Sequence, residues 1–329
     1  MSARFDRFLS DDIVRNKLEE LIRLTQSVVT TRIEDPYAFD IYMRERNKIM
    51  IYHGTTCVLV IGVNDGNGWL FSAHRAYGKE RVCSEAYRKL MGPQEWPGNS
   101  ASNLMKDYLE KVVDSVHESK YSGEGLWMNK LGVRFGRGFR DDDPWLIIDR
   151  ESVIGFENRD EKNSFYEGKK KSRTAFVKTL QSQDPKRWGT TCKSFGDELD
   201  FLALDREKNL VCIELKYGGA NASEIYWGPL QALLYRDAFK EATTKTVSDG
   251  IKKMVEQKVK LRLLPKHALN RLPEGDCDRV RAVLAVADPN PNRRECRNRL
   301  TQVKTDLTNE GHDVEVVAIA EDFSIKDYK

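Results

Sequence analysis

Apolar residues recur along the first half of the chain at two spacings, and these spacings predict helices and strands. Three- and four-residue spacing predicts helices over residues 12–29 and 102–117. Between them, apolar runs at residues 48–53, 56–63 and 69–72 predict strands. Residues 64–68 read Asn-Asp-Gly-Asn-Gly, and Asn and Gly tolerate the positive φ of a hairpin turn. This half is therefore predicted to be an α+β domain with its own core.

The pattern changes after about residue 150, where strands and helices follow one another in a different order. The predicted elements are a helix at 161–182, strands at 188–193, 196–204 and 210–217, a helix at 229–242, a basic helical stretch to about 260, a strand at 279–287, a helix at 292–310 and a strand at 313–320. This α-β-β-β-α-β order, with one further helix and strand, predicts the α/β class and a mixed sheet flanked by helices.

Glycines and an acidic run interrupt the chain just before residue 150. Gly132, Gly136 and Gly138 precede three consecutive aspartates at 141–143 and then Pro144. At the usual ~100 to 200 residues per domain, 329 residues allow two domains. We therefore predict an N-terminal recognition, sensing or assembly domain over residues 1–150 and a second domain over residues 151–329.

Composition excludes several classes of protein. With 54 basic and 51 acidic side chains the net charge is only +3, which excludes a polybasic arm as the main feature. The 32% charged and 40% hydrophobic residues are typical of a globular chain rather than a disordered one. The longest apolar stretch, residues 58–63, is far shorter than a membrane span, and the six cysteines form no C-x-x-C pair. With no secretory signal in the opening residues, a cytoplasmic protein without membrane partners is expected.

The most informative segment is a predicted β-hairpin over residues 196–217. Residues two apart in a strand share a face, so Glu198 and Asp200 point one way on the first strand, and Glu214 and Lys216 point together on the second. An ionised acid in an apolar strand is costly unless it is paired or ligates a metal ion. Three acids and a lysine in this setting therefore indicate a functional site.

These residue types favour phosphodiester hydrolysis. The carboxylates of Asp200 and Glu214, with the backbone carbonyl of Leu215, form an all-oxygen set suited to Mg²⁺ or Mn²⁺. Such an ion polarises a phosphodiester and lowers the pKa of bound water. Lys216, two residues from one ligand, is expected to position or deprotonate that water and to stabilise the developing charge.

The same residues resemble the PD-(D/E)xK nuclease superfamily. Asp200 and the E-x-K of residues 214–216 are similar to its two motifs, and residues 196–200 resemble the G-x-E-[IL]-D form of the first. Gln231 and Tyr235 are similar to the Q-x-x-x-Y element of RecB-like nucleases and of the Shedu antiphage nucleases. The resemblance covers roughly residues 160–320 and implies a restriction-endonuclease-like α-β-β-β-α-β core, a metal-dependent deoxyribonuclease activity and DNA as the partner. The proline that this family places before the first acid is absent here.

Several alternatives stay open at this level. Glu198 is either an additional metal ligand or a charge at the edge of the sheet, and the acidic ligand that some members carry on a helix is either Glu161 or Glu167. Gln231 and Tyr235 are one helical turn apart, so they form either a site element or an ordinary amphipathic face with Tyr235 in the core.

The basic clusters and the partners also leave alternatives. Two clusters are either nucleic-acid contacts or solvated helix faces: Lys169, Lys170, Lys171 and Arg173, and Arg293, Arg294, Arg297 and Arg299. RNA as substrate and a homo-oligomer also stay open. The alternative function is a protein that keeps the nuclease fold to bind nucleic acid or a partner without cleaving.

Overall fold

The structure is a computed structural model that describes residues 3–31, 33–63, 68–73, 84–95, 99–116, 120–188, 195–196 and 198–328. Contacts divide the chain into two compact units. The antiparallel-sheet unit comprises Asp6–Asp149 and Asp249–Leu272. The mixed-sheet unit comprises Met1–Phe5, Arg150–Ser248 and Pro273–Lys329. In the described part of the chain, no helix combines the length and apolarity that crossing a membrane requires.

Five strands form the sheet of the antiparallel-sheet unit, and each pairs antiparallel with the next in sequence. They are β1 (Asp40–Arg44), β2 (Lys48–His53), β3 (Thr56–Val63), β4 (Gly68–Ser72) and β5 (Gly92–Glu95). Alternation is clearest in β4, where Trp69 and Phe71 are buried and Leu70 between them is exposed. The three strands predicted from the apolar runs are confirmed, whereas most of the predicted turn, residues 64–67, lies outside the described residues.

Helices α1 (Asp11–Val29), α2 (Ser84–Leu90), α3 (Asn99–Ser115) and α4 (Gly123–Gly132) complete this part, and a π-helical turn (Val133–Arg137) continues α4. The first helix begins where Ser10 caps it, because the Ser10 hydroxyl accepts a hydrogen bond from the Ile13 N–H at 3.4 Å. Its buried face carries Leu21, Leu24 and Val28, which matches the spacing seen in the sequence.

Six strands form the mixed sheet, in the order β11-β10-β9-β8-β7-β6. They are β6 (Trp145–Ser152), β7 (Leu199–Asp205), β8 (Leu210–Tyr217), β9 (Val280–Ala287), β10 (Glu315–Ile319) and β11 (Ile325–Asp327). Strands β7 and β8 are antiparallel, β8 and β10 both run parallel to β9, and β11 is antiparallel to β10. The protein is thus mixed α/β with two sheets, and the predicted mixed sheet is confirmed.

Helices α5 (Arg159–Gln183), α6 (Pro185–Trp188), α7 (Ala222–Ala242), α8 (Lys245–Lys260) and α9 (Arg294–Asn309) follow in the second half of the chain. Helix α7 packs on β8 and β9, and α5 and α9 pack on α7. Gly228 permits the close approach of α7 to the sheet, since a Cβ atom there would lie 2.5 Å from the Leu284 side chain.

Two predicted elements differ from the structure. The strand expected at 188–193 is not the neighbour of β7, because that place is taken by β6, which precedes α5. Trp188 ends α6 instead, and residues 189–194 lie outside the described part. The helix expected at 229–242 begins at Ala222, so Pro229 lies within α7 rather than at its start. Burial of α7 on both sides of Pro229 outweighs the loss of one backbone hydrogen bond.

The predicted domain boundary near residue 150 falls inside β6. That the two halves fold separately on either side of it stays a prediction. The segment Asp249–Leu272 returns to the antiparallel-sheet unit. There the Lys258 ammonium donates a hydrogen bond to the Ile148 carbonyl at 2.6 Å, and the fully buried Asp149 carboxylate pairs with Arg44 at 2.6 Å. The core of this unit therefore depends on residues more than a hundred positions apart.

Candidate active site

The candidate site lies where the ladder between β7 and β8 ends. The paired residues run from Leu204 and Leu210 to Phe201 and Ile213. Continuing this register by one residue places Asp200 opposite Glu214, so the two carboxylates face the same side of the sheet. Beyond this point the Leu215 N–H donates to the Asp200 carboxylate at 2.7 Å instead of to a backbone carbonyl of β7. At this position a side-chain carboxylate thus takes the place of a backbone acceptor.

Asp200, Glu214 and Lys216 form a compact group, which we call the charged triad. The Lys216 Nζ lies 2.5 Å from Oε1 of Glu214 and 4.0 Å from Oδ2 of Asp200. The side chains of Glu214 and Lys216 are buried, and that of Asp200 is 20% exposed. Alternation along β8 accounts for the shared face of Glu214 and Lys216, as the sequence predicts. The triad therefore reaches solvent on the Asp200 side.

Burial raises the pKa of the Asp200 carboxyl above its ordinary value. Lys216 opposes this shift most strongly, followed by the Leu215 N–H and the Arg150 guanidinium, whereas the Glu151 carboxylate reinforces it. Desolvation outweighs these attractions, so the pKa stays raised. The ionised form of Asp200 is therefore disfavoured, and a further cation beside this carboxylate would favour it.

Arg150 and Glu151 on β6 are site neighbours that sequence reasoning missed. Arg150 is fully buried, its guanidinium lies 3.5 Å from the Glu151 carboxylate, and Glu151 has a φ of +47°. The signal that could have identified them is the three charged residues, 149–151, that directly continue the apolar run of residues 145–148. No strand is predicted from the sequence over these residues, and the predicted boundary near residue 150 separates Arg150 from Glu151.

The oxygen donors of the site fit a hard divalent cation. Asp200 and Glu214 contribute carboxylates from adjacent strands. In an extended strand the N–H and C=O of one residue point to the same side, so the Leu215 carbonyl lies on the side of Asp200, as its N–H does. Mg²⁺ and Mn²⁺ prefer such oxygen ligands. Within the described ranges no three His, Cys, Asp or Glu residues are grouped to hold a metal ion, so protein carboxylates alone supply only two ligands.

Helix α7 carries both residues of the predicted Q-x-x-x-Y element. Tyr235 is buried, and a Cβ atom on Gly196 would lie 3.3 Å from its hydroxyl oxygen, so the hydroxyl faces the segment that leads into β7. Gln231, one turn earlier, is half-buried, and its amide makes no hydrogen bond to a described residue. Tyr235 is thus a core residue, as one of the two alternatives from the sequence states, and its hydroxyl lies beside Gly196.

The other predicted acids are not brought into the triad. Glu198 is exposed at the bend before β7. Glu167 is exposed on α5 and pairs with Lys171 at 2.7 Å, which lowers its pKa. Glu161 completes a cap at the start of α5, where its N–H binds the Asn158 side chain and its carboxylate accepts from the Glu157 N–H. The structure gives neither Glu161 nor Glu167 a place beside Asp200.

The basic cluster on α5 is largely engaged with acidic partners. Arg173 is buried and pairs with Asp237, and the Lys169 ammonium lies 2.7 Å from the Glu241 carboxylate. Lys171 pairs with Glu167, while the Lys170 ammonium lies over the Tyr166 ring. These contacts explain the cluster as part of the packing between α5 and α7 and as a surface ion pair.

Comparison of the chain with models of known protein families, with curated proteins and with solved structures found no match.

Proposed function

We propose that the chain is a divalent-metal-dependent nuclease that hydrolyses DNA phosphodiester bonds at the charged triad. The observation that supports this proposal is the meeting of Asp200, Glu214 and Lys216 at the open end of the β7–β8 hairpin. The motif resemblance requires these three residues to converge from two neighbouring strands. The order β6-β7-β8-β9, with β8 and β9 parallel and joined through α7, agrees with a restriction-endonuclease-like core.

Asp200, Glu214 and the Leu215 carbonyl would hold Mg²⁺ or Mn²⁺. When bound, such an ion lowers the pKa of its water and neutralises charge on a phosphodiester. Lys216 would release Glu214 when that carboxylate becomes a ligand, and its ammonium would then hold the attacking water or a phosphate oxygen. The Gln231 amide, which has no partner among the described residues, is suited to orient the scissile phosphate. Tyr235 would keep the Gly196 segment, and through it Asp200, in position.

The remaining expectations attach to this proposal. The antiparallel-sheet unit would select the target or assemble the protein, since the triad and the Q-x-x-x-Y element all belong to the mixed-sheet unit. The resemblance is compatible with restriction, repair or antiphage defence as the setting.

The test is cleavage of linear, circular and single-stranded DNA, and of RNA, by the full-length protein with Mg²⁺, Mn²⁺ or EDTA. Asp200→Asn, Glu214→Gln and Lys216→Met should each fall below about 1% of the wild-type rate, because each removes charge from the reacting centre. Glu207→Gln is the matched control: Glu207 is exposed in the turn at the opposite end of the same hairpin, and this variant should cleave normally.

Two results would contradict the proposal. Full activity in any of the three triad variants would show that the site is elsewhere. Absence of cleavage under every condition, with nucleic-acid binding retained, would instead favour the alternative of a non-cleaving binding protein.

A further inference from the structure

Three arginines at the start of α9 carry positive charge that no described carboxylate neutralises. We call Arg293, Arg294 and Arg297 the arginine patch. Arg293 donates to the carbonyls of Gly219 and Ala220, and Arg297 donates to the Pro291 carbonyl at 2.8 Å. Arg294 is exposed and has no ion pair with a described residue. Backbone carbonyls orient these guanidinium groups but do not cancel their charge.

The neighbouring charges do not compensate the patch. Glu295 lies within it in sequence, but its carboxylate binds Arg299 at 3.0 Å. Asp288, at the end of β9, is exposed and has a φ of +49°. None of the three arginines forms an ion pair with a described acid, whereas on α5 Lys169, Lys171 and Arg173 each have an acidic partner. A phosphate would displace an existing ion pair on α5 but would meet uncompensated charge on α9.

Strand register places the patch near the triad. Lys216 and Tyr217 of β8 pair with Val286 and Ala287 of β9, and the Gly218 N–H donates to the Ala287 carbonyl at 2.7 Å. Arg293 then binds the carbonyls of Gly219 and Ala220, three and four residues beyond Lys216. A chain spans at most ~3.5 Å per residue, so the backbone of Ala220 lies within about 14 Å of that of Lys216. Charges on one nucleic-acid strand are about 3.4 Å apart along the axis, so this distance spans about four nucleotides.

We infer that the arginine patch binds the phosphate backbone of the nucleic-acid substrate, within about four nucleotides of the bond that is cleaved. This inference rests on the proposed function for the position of the scissile phosphate. The planar guanidinium groups suit phosphate oxygens, and the N-terminal end of the α9 dipole adds to the attraction. The nucleic-acid surface thus lies on α9 rather than on the α5 cluster that the sequence also offered.

Binding is tested with the full-length protein in EDTA, where cleavage is blocked, by fluorescence anisotropy of labelled double-stranded DNA, single-stranded DNA and double-stranded RNA at several salt concentrations. The double variant Arg294→Gln/Arg297→Gln should weaken nucleic-acid binding about tenfold at 100 mM salt. It should also reduce the slope of log binding constant against log salt concentration by about 1.8, which is the value for two lost phosphate contacts on duplex DNA. Arg293 is left unchanged because its guanidinium holds the loop after β8. Comparison of the three nucleic acids identifies which one the patch prefers.

Two further variants serve as matched controls with the same loss of charge. Lys304→Gln/Lys326→Gln changes exposed lysines elsewhere in the same unit and should leave affinity and slope unchanged. Lys170→Gln/Lys171→Gln tests the rival surface on α5 and should have little effect. Thermal unfolding of each variant confirms that the fold is kept.

The outcomes separate this inference from the proposed function. Wild-type affinity and slope in the patch variant, or an equal loss in either control, would overturn the inference, as would failure of the wild-type protein to bind any of the three nucleic acids. A protein that binds through the patch but never cleaves with Mg²⁺ or Mn²⁺ would overturn the nuclease proposal and leave the patch in place.

Discussion

Glu214→Gln should destabilise the folded chain in the absence of metal, whereas Asp200→Asn should not. The Glu214 carboxylate and the Lys216 ammonium form a buried pair at 2.5 Å, so a neutral glutamine leaves a buried cation with one fewer counter-charge. Asp200 differs because burial already raises the pKa of its carboxyl. An asparagine there keeps an oxygen that can accept the Leu215 N–H and removes a poorly solvated charge.

The magnitude follows from the two distances. At an effective dielectric constant of about 20, unit charges 2.5 Å apart attract by about 7 kcal/mol, and charges 4.0 Å apart attract by about 4 kcal/mol. Desolvation offsets much of this attraction, and removing one partner of a buried pair typically costs about 3–5 kcal/mol. Since Asp200 remains 4.0 Å from the ammonium, the expected loss of unfolding free energy for Glu214→Gln lies at the lower end, about 3 kcal/mol.

The assay is urea unfolding at neutral pH with EDTA. Lys216→Met should lose a similar free energy because it leaves Glu214 buried beside Asp200. The double variant Glu214→Gln/Lys216→Met should recover at least about 2 kcal/mol relative to Glu214→Gln alone, since an apolar chain of similar size replaces the buried charge. The exposed control Glu207→Gln should stay within about 0.5 kcal/mol of wild type.

An unchanged urea midpoint for Glu214→Gln would contradict this prediction, because the ion pair would then contribute nothing to stability. An equal loss of unfolding free energy in Asp200→Asn and Glu214→Gln would also contradict it, since the two carboxylates would then contribute equally. A double variant less stable than both single variants would show that the loss comes from packing rather than charge.

Three other predictions concern single residues. Burial lowers the pKa of Lys258 to about 8, so between pH 8 and about 10.5 the unfolded chain holds a proton that the folded chain has lost. The unfolding free energy of the protein should therefore rise by up to about 3 kcal/mol across that pH range. Urea unfolding of Lys258→Met should not show this rise. Gly196→Ala should lower the unfolding free energy by about 1 kcal/mol by crowding the Tyr235 hydroxyl, and adding Tyr235→Phe should restore it; no rescue in urea unfolding would contradict this contact. Gln231→Ala should slow cleavage less than Asp200→Asn, because an amide orients a phosphate but carries no charge; an equal or larger loss of rate would give Gln231 a different role.

The hairpin could be predicted from the sequence because its signals are local. Strand alternation fixes that Glu214 and Lys216 share a face, and the short loop between β7 and β8 fixes that Asp200 comes opposite Glu214. Burial of charged residues in an apolar strand then indicated that they would meet. The sequence does not predict that Lys216 pairs with Glu214 at 2.5 Å, because alternation places the two side chains on one face without fixing the distance between them.

The predictions that were wrong or ambiguous concern features that depend on contacts between residues distant in sequence. The strand beside β7 is separated from it by the whole of α5, and the sequence pattern predicts a strand at 188–193 but none at 145–152, so it places the wrong neighbour beside β7. The start of α7 was misplaced because Pro229 is a helix-start signal, whereas packing on the sheet extends the helix in front of it. The basic residues of α5 were ambiguous because their acidic partners on α7, Asp237 and Glu241, lie more than sixty residues away.

The return of Asp249–Leu272 to the antiparallel-sheet unit affects the order in which the chain can fold during synthesis. The Ile148 carbonyl receives its hydrogen bond from Lys258, and 258 − 148 = 110 residues separate them. At about 5–20 residues per second, a ribosome needs roughly 5 to 20 s to make that stretch. The antiparallel-sheet unit therefore completes its core only after β7 and β8 have been synthesised, and a nascent chain stopped before Asp249 would expose apolar surface of this unit to proteases and chaperones.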